Sequence, residues 1–486
     1  MSKRLDTATP DELVAEFLKK LHATGDYRRE VVARLAALAT GDDPETAQPA
    51  TRALFASLVE RLADSFSPAD VSLYNRVFAQ TVDHCRRLAA GRAVDAALNR
   101  FGLRDEGDVL RRANALRISY AAARPLPASL RRVIVLSRVT LGADVAITSV
   151  IINRFEREFP DAEVILVGGR QAAELFGGDR RIRFKEIDYR RGGLTLERLL
   201  SWLDVIEAAR ELTADLSPAE WLIVDPDSRL TQLGLLPITE CGENYFFFPS
   251  REYGAATDFA LAQLTAGWLG EVFDAPSPAL PRLSLRREDT DAASALVARL
   301  RQANARPVIT INFGVGENPA KRVSDEFEQS LVAQLLQRGA AVILDKGAGA
   351  DETRRADAVI EHARRHLAAT VVELTENGLA EAFRSEALDA SLLVWDGRVG
   401  VLAALIAQSD LYVGYDSAGQ HIAAAAGTPC VDVFAGYGSA RMLDRWRPAG
   451  SAPSHVIAVD SSRAVDPSEI LAATLAAVTE RLVASP

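Results

Sequence analysis

A chain of 486 residues exceeds what one hydrophobic core can serve, roughly 250–300 residues, so about three folding units are expected. Hydrophobic residues make up 48% and charged residues 25%, the balance of an ordinary globular protein. A net charge of −10 argues against nucleic acid or an anionic bilayer as the main partner, although a local basic pocket remains compatible with it.

Cys85, Cys241 and Cys430 show neither CxxC nor Cys/His spacing, so no disulfide frame and no metal site are expected. The N-terminal Met-Ser-Lys-Arg-Leu-Asp-Thr has no apolar core or cleavage site, and no run of about 18 apolar residues follows anywhere. No transmembrane segment is therefore expected. The cytoplasm is the expected compartment, with a peripheral position at the inner face of the membrane as a variant.

Residues 1–125 carry helical periodicity alone. Leu13, Val14, Phe17, Leu18 and Leu21 mark one buried face of a helix over Asp11–His22. The pattern returns over Arg29–Ala39, Thr51–Phe66 and Val71–Phe101, with breaks at Gly25, at Gly41-Asp-Asp-Pro44 and at Ser67-Pro68. A fifth helix is expected over Asp108–Ala123, stopped by Pro125-Leu-Pro127. Without a repeat of fixed period, the reading is a small bundle.

At Arg131 the texture changes. Val133-Ile-Val-Leu136, Glu163-Val-Ile-Leu-Val167, Ile182–Ile187, Trp221-Leu-Ile-Val224 and Tyr245-Phe-Phe-Phe248 read as strands alternating with helices. Pro276-Ser-Pro278 and Pro281 form a stiff break. The alternation then resumes, with strands expected at Val308–Asn312, Ala341–Leu344, Val371–Leu374, Leu411–Gly414, Cys430–Phe434 and Val456–Val459. The expected fold class is α/β, two doubly wound parallel-sheet lobes behind an all-helical domain. The bounds are residues 1–127 for the bundle, 128–280 for the first lobe and 281–486 for the second. A cleft between the carboxyl ends of two such sheets is where ligands bind in this architecture.

Three segments at strand ends can carry chemistry. In Tyr415-Asp416-Ser417-Ala418-Gly419-Gln-His421 a strand runs straight into a helix of small residues. Its free N–H groups and positive dipole end suit a phosphate, while simple helix capping by Asp416 or Ser417 is the plainer role. In Asn312-Phe-Gly314-Val-Gly316-Glu-Asn-Pro-Ala-Lys321-Arg322 a glycine loop closes on two cations. Six lysines stand against fifty arginines in the chain, which makes a lysine here the more noticeable. The cations can neutralise a leaving diphosphate, or form only a solvated pair. The spacing is not that of an ATPase phosphate loop. In Arg138-Val-Thr-Leu-Gly142-Ala-Asp144 a carboxylate opens a helix, as a general base for a hydroxyl or as a mere N-cap. His362 and His366 lack the His-Glu-x-x-His order, and no Gly-x-Ser-x-Gly elbow occurs.

Together these segments resemble glycosyltransferase family 9, the heptosyltransferase-like enzymes of the two-lobed GT-B fold, over roughly residues 131–475. The strongest part is Asp416-Ser-Ala-Gly-Gln-His421-Ile-Ala-Ala-Ala-Ala-Gly427-Thr-Pro429, which departs from the family pattern at Ala418-Gly419-Gln420. Ala-Lys321-Arg322, Gly142-Ala-Asp144-Val-Ala-Ile-Thr148 and Phe159-Pro-Asp-Ala match further family motifs, with Ala143 as an extra residue in the glycine loop. The resemblance implies an inverting, metal-independent transfer of a sugar, heptose among the candidates, from a nucleotide-diphosphate donor to a glycan, lipid-linked or protein acceptor. The nucleotide sugar is a co-substrate, and no other cofactor is implied. Asp144 would be the base. Gly314, Lys321, Arg322, Glu352 (toward the ribose), Asp416, Ser417, Ala418, Gly419 and His421 would face the donor. Arg138, Gly142, Asp225 and Arg229 would lie on the acceptor side, with Asp225 or Asp227 as substitutes for the base. Residues 1–125 lie outside the resemblance and suit self-association, acceptor docking or shielding of the first lobe. A nucleotide-sugar epimerase of the same shape and a non-catalytic nucleotide-sugar binder are the competing readings.

Overall fold

Strands such as Val133-Ile-Val-Leu136 and Trp221-Leu-Ile-Val224 are apolar on both faces, which suits the middle of a parallel sheet covered from both sides. The computed structural model of the chain describes residues 8–119, 126–127, 129–276, 279–303, 306–316, 318–367, 369–379, 390–460 and 466–484. It contains two wholly parallel sheets. The first has the order β3-β2-β1-β4-β5, with β1 (Arg132–Leu136), β2 (Glu163–Gly168), β3 (Ile182–Glu186), β4 (Trp221–Asp225) and β5 (Tyr245–Phe247). The second has the order β12-β11-β10-β6-β7-β9-β8. Its strands are β6 (Val308–Asn312), β7 (Ala341–Asp345), β8 (Val371–Thr375), β9 (Leu392–Asp396), β10 (Leu411–Tyr415), β11 (Cys430–Phe434) and β12 (Ser454–Ala458). Central strands β4, β6, β10 and β11 are buried throughout, whereas edge strands β3, β8 and β12 expose polar positions.

The helical part runs α1 (Pro10–Thr24), α2 (Arg29–Ala39), α3 (Pro44–Arg52), α4 (Pro68–Arg86), α5 (Arg92–Arg100) and α6 (Glu106–Ser119), with no strand among the described residues before β1. A reciprocal pair of hydrogen bonds between Thr9 and Glu12 opens α1, and Gly25, at φ +69°, ends it. Two expectations need correction. The helix expected from Thr51 starts at Pro44, because the Asp43 carboxylate accepts from the Glu45 N–H and proline has no N–H to leave unpaired there. It then continues through a wide π turn, Ala53–Glu60, to Ala63. The single helix expected over Val71–Phe101 breaks between Arg86 and Arg92. A Cβ on Gly91 would lie 1.9 Å from the Cys85 carbonyl oxygen, so the chain can fold back there only with glycine. The expected ends of the fifth helix near Ala123 and Pro125 fall outside the described residues.

The connecting helices are α7 (Ser149–Glu158), α8 (Ala172–Phe176), α9 (Thr195–Thr213), α10 (Leu261–Val272), α11 (Arg287–Ala303), α12 (Asp325–Gln337), α13 (Ala350–Leu367), α14 (Val399–Gln408), α15 (Ala418–Ala426), α16 (Ala440–Trp446) and α17 (Pro467–Ala484). Strand β9 was not among the expected strands. A short run like Leu392-Leu-Val-Trp395 has no period that separates a buried strand from a buried helix. The last strand lies at Ser454–Ala458 rather than Val456–Val459.

The bundle is not set apart from the first lobe. Alternate residues of its sheet, Ile134 and Leu136 on β1, Ile165 and Val167 on β2, Ile223 on β4 and Phe247 on β5, pack with Leu35, Leu54, Leu58 and Phe78 of the bundle and Trp202 of α9 in one core. The other face, with Val133, Val135 and Val224, belongs to a second core that runs into the second lobe through Leu296, Leu405, Ile422 and Tyr412. A third core backs the second sheet against α12, α13 and α17. No helix among the described residues is long and apolar enough to cross a membrane.

Candidate active site where the lobes meet

Strand order reverses between β1 and β4 in the first sheet and between β6 and β10 in the second. The loops leaving the carboxyl ends of these strands therefore diverge and leave crevices. The three sequence motifs occupy those loops.

After β1 the chain passes through Val139 at φ +75°, a strained backbone for a β-branched residue. Asp144 holds this turn. Its Oδ2 accepts the Ser137 hydroxyl at 2.6 Å, and its Oδ1 accepts the Arg138 N–H at 2.7 Å and the Thr148 hydroxyl at 2.8 Å. It is not an N-cap: Thr140 occupies that position and its carbonyl accepts the Asp144 N–H. Asp144 is 2% exposed, and burial pushes its carboxyl up while the three donors oppose the shift.

On the same side, Arg138 donates to the Pro226 and Asp227 carbonyls and to Ser250, and lies 3.9 Å from the Asp227 carboxylate. Burial, with Arg251 nearby, draws its pKa down to about 9. Burial works against the charge of Asp227, yet Arg251, Arg117 and Arg138 together hold its carboxyl below the usual range. Asp225 is enclosed, accepting from the Ser228 N–H and from the Thr231 and Tyr245 hydroxyls. Arg229 instead reaches the bundle, over the ring of Tyr74.

After β6, the Gly314 N–H donates to the Asn312 side chain at 2.8 Å. Glu352 accepts from the Val315, Gly316 and Ala348 N–H groups at 3.0, 3.1 and 2.8 Å, joining the loops after β6 and β7. Lys321 and Arg322 part company. Lys321 pairs with Asp416, 2.5 Å from Nζ to Oδ2, whereas Arg322 turns to Asp325 and to the buried Glu328, which Arg355 also binds.

After β10, Ser417 is the N-cap of α15 in extended conformation, and its hydroxyl lies 3.5 Å from Asn312 Oδ1. Its own side chain caps nothing, which leaves the first N–H groups of α15 to other partners. Gly419 is required by packing, since a Cβ there would fall 2.0 Å from the Tyr412 hydroxyl. His421 is 5% exposed, with its ring against Trp446. Burial, aided by Lys321, pushes its pKa down to about 3, so it is a neutral imidazole. Across the interface, a Cβ on Gly142 would lie 3.1 Å from the His421 ring and 3.3 Å from the Ala418 Cα. Gly142, Ala418 and His421 thus meet directly, and Asp144 sits two residues beyond that contact.

Two features were not singled out from sequence. Asp432, in the middle of β11, is fully buried, and among the described residues neither of its oxygens has a hydrogen-bond partner. Burial, with Asp416 nearby, raises its carboxyl far above its usual range. A carboxylate inside the apolar run Cys430-Val-Asp-Val-Phe434 was the available signal. Asp345 at the end of β7 receives the Asn312 amide, and burial lifts its pKa to about 6. Among the described residues, no group of three or more His, Cys, Asp or Glu is placed to hold a metal ion.

No family model and no curated protein matches this sequence. Among solved structures, that of the glycosyl transferase family 9 from Veillonella parvula DSM 2008 is similar over 74% of this chain and 99% of its own, at 14% identity and a TM-score of 0.52. The E. coli ADP-heptose LPS heptosyltransferase II is similar over 72% of this chain and 98% of its own, at 15% identity and a TM-score of 0.46. The first match is a statement about fold, and the second is too loose to add to it. By its fold this chain resembles the family 9 glycosyltransferases and carries the GT-B architecture of two facing parallel-sheet lobes.

Proposed function

We propose that the chain is a glycosyltransferase that moves a sugar, heptose among the candidates, from a nucleotide-diphosphate donor to an acceptor hydroxyl with inversion and without a metal. The observation that carries this reading is the junction of Gly142, Ala418 and His421. It packs the loop that leads to buried Asp144 against the helix start at Ala418, with Lys321 paired to the Asp416 that precedes that start. In the proposed reaction the acceptor oxygen attacks the anomeric carbon and its proton passes to Asp144. The bond from that carbon to the diphosphate oxygen breaks with both electrons leaving on the diphosphate. Lys321 and the first N–H groups of α15 neutralise the departing charge. Asp144 must then exchange the Ser137 hydroxyl for that of the acceptor. Gly314, Glu352 and Ser417 hold the loops around the donor. Arg322 supports its loop through Glu328 instead of reaching the phosphates. Neutral His421 packs the lobes together and can donate one hydrogen bond. The cytoplasm is the proposed compartment.

A second reading has one specific observation behind it: both Asp144 oxygens are already engaged, as in a nucleotide-sugar binder that transfers nothing. A thermal-shift screen with ADP-, GDP- and UDP-sugars, followed by release of nucleotide from the best ligand, tests both. A ligand at about 100 times its dissociation constant adds roughly 2.7 kcal/mol. Stabilisation with nucleotide release supports transfer. Stabilisation without release, in the presence of a broad acceptor panel, supports the binder. No stabilisation by any of them overturns both.

A further inference from the structure

A cavity of about 680 Å³ opens beside the lobe junction, between the loop that precedes α10 and helix α16. Its lining includes Thr257, Asp258 and Phe259 from the first lobe and Arg441 and Asp444 from the second. Phe259 is 48% exposed, yet the loop that bears it is fixed. Arg445, 2% exposed, donates to the Phe259 carbonyl at 2.6 Å and to the Gly254 carbonyl at 2.7 Å. The Thr257 N–H and hydroxyl both donate to the Gly254 carbonyl as well. Arg441 is anchored in turn on the Phe66 carbonyl of the bundle, at 3.0 Å. The cavity wall, drawn from both lobes, is therefore braced by these hydrogen bonds, one of which reaches the bundle.

Its chemistry is selective. A half-exposed aromatic face receives the C–H face of a ring by dispersion. Two carboxylates, which only accept hydrogen bonds when ionised, suit adjacent hydroxyl groups. With Arg445 behind the wall, Asp258 and Asp444 stand against two guanidiniums, Arg441 and Arg445, a balance that gives no net field to draw in a phosphate or a sugar acid. The cavity is open to solvent on one side rather than enclosed, so a saccharide would lie against one face of it with its outer side in water. At the far end of the seven-residue α16, Trp446 packs on His421, so this helix leads from the cavity to the proposed transfer site.

We propose that this cavity is a subsite for an uncharged saccharide, stacked on Phe259 and held through its hydroxyls by Asp258 and Asp444. Its role as the outer part of the acceptor site rests on the transferase reading; its capacity to bind does not.

The test is saturation-transfer NMR on the full chain with methyl α-mannoside, methyl β-galactoside and maltotriose, and with Nα-acetyl-arginine amide as a cationic alternative. At least one saccharide should receive saturation from the wild type. Phe259→Ala should weaken it by about tenfold, as for a stacked anchor, and Asp444→Asn should weaken it as well. Both variants should keep the wild-type Tm and the wild-type thermal shift with ADP-, GDP- and UDP-sugars. Absence of saccharide binding, or binding that Phe259→Ala leaves unchanged, overturns the subsite even where a nucleotide sugar binds. Preferential binding of the arginine amide also overturns it, in favour of a basic peptide. Saccharide binding without any response to nucleotide sugars upholds the subsite and removes the transferase reading instead.

Discussion

Lys321 Nζ lies 2.5 Å from the Asp416 carboxylate and 3.2 Å from the Asp416 carbonyl oxygen, so one cation ties the loop after β6 to the end of β10. The pair has two separable roles, neutralising a buried carboxylate and presenting positive charge to a diphosphate. Lys321→Ala should weaken nucleotide-diphosphate binding, slow transfer and lower the Tm, because Asp416 is left buried and unpaired. Lys321→Arg should restore these only in part. The double variant Lys321→Ala/Asp416→Asn should regain Tm without regaining nucleotide affinity. Calorimetry of ADP and GDP binding alongside melting curves measures both, and unchanged affinity in Lys321→Ala would refute the donor role.

For Asp144 the two expectations separate in Asn and Ala variants. Asp144→Asn keeps an acceptor for the Arg138 N–H and the Thr148 hydroxyl, so Tm should fall little. As a lost base it should reduce transfer by about two to four powers of ten. Asp144→Ala removes all three hydrogen bonds beneath the strained Val139 turn and should destabilise by about 3 kcal/mol. Turnover together with denaturant unfolding distinguishes them. Full activity in Asp144→Asn would move the base to another residue.

Asp432 gives a pH signature. Its folded-state pKa is raised, so its contribution to stability is complete below the unfolded value of 3.8 and is lost as pH rises toward the folded value. Asp432→Asn does not titrate. The variant should therefore gain on the wild type by up to about 1.4 kcal/mol per pH unit above that point. Urea unfolding at a series of pH values between about 5 and 8 provides the comparison. A difference that stays flat across the series would show that Asp432 is ionised or solvated.

Deleting residues 1–125 should not yield a folded pair of lobes. The deletion uncovers Ile134, Leu136, Ile165, Val167 and Phe247, all now in the core shared with the bundle. Loss of near-ultraviolet circular dichroism and aggregation on expression are the expected results. A truncated protein that melts cooperatively and binds nucleotide as the full chain does would make the bundle an accessory.

How far the sequence was legible follows from which signals are local. Most strands could be read to within a residue because burial on both faces leaves continuous apolar runs such as Val133–Leu136, whereas the equally buried β9 could not be told from a buried helix. The helix start at Ser417 could be read from the small residues that follow the strand. The partner of each charged side chain could not. Lys321 and Arg322 are neighbours in sequence and leave in opposite directions, because Asp416 and Glu328 arrive from different elements. Asp144 looked like a cap, and only the fold reveals that the carboxylate faces back to Ser137 and Arg138. The union of the bundle with the first lobe was equally hidden, since an amphipathic helix does not state which surface it covers.

That shared core has a consequence for how the chain is made. The apolar faces of α2, α3 and α4 leave the ribosome first, but their counterpart on the sheet is complete only once Phe247 has been synthesised. Throughout translation of the first sheet the nascent bundle holds an uncovered greasy surface, the condition under which growing chains aggregate or recruit chaperones. Yield during synthesis, rather than stability of the finished protein, is thus where substitutions on that face should tell most.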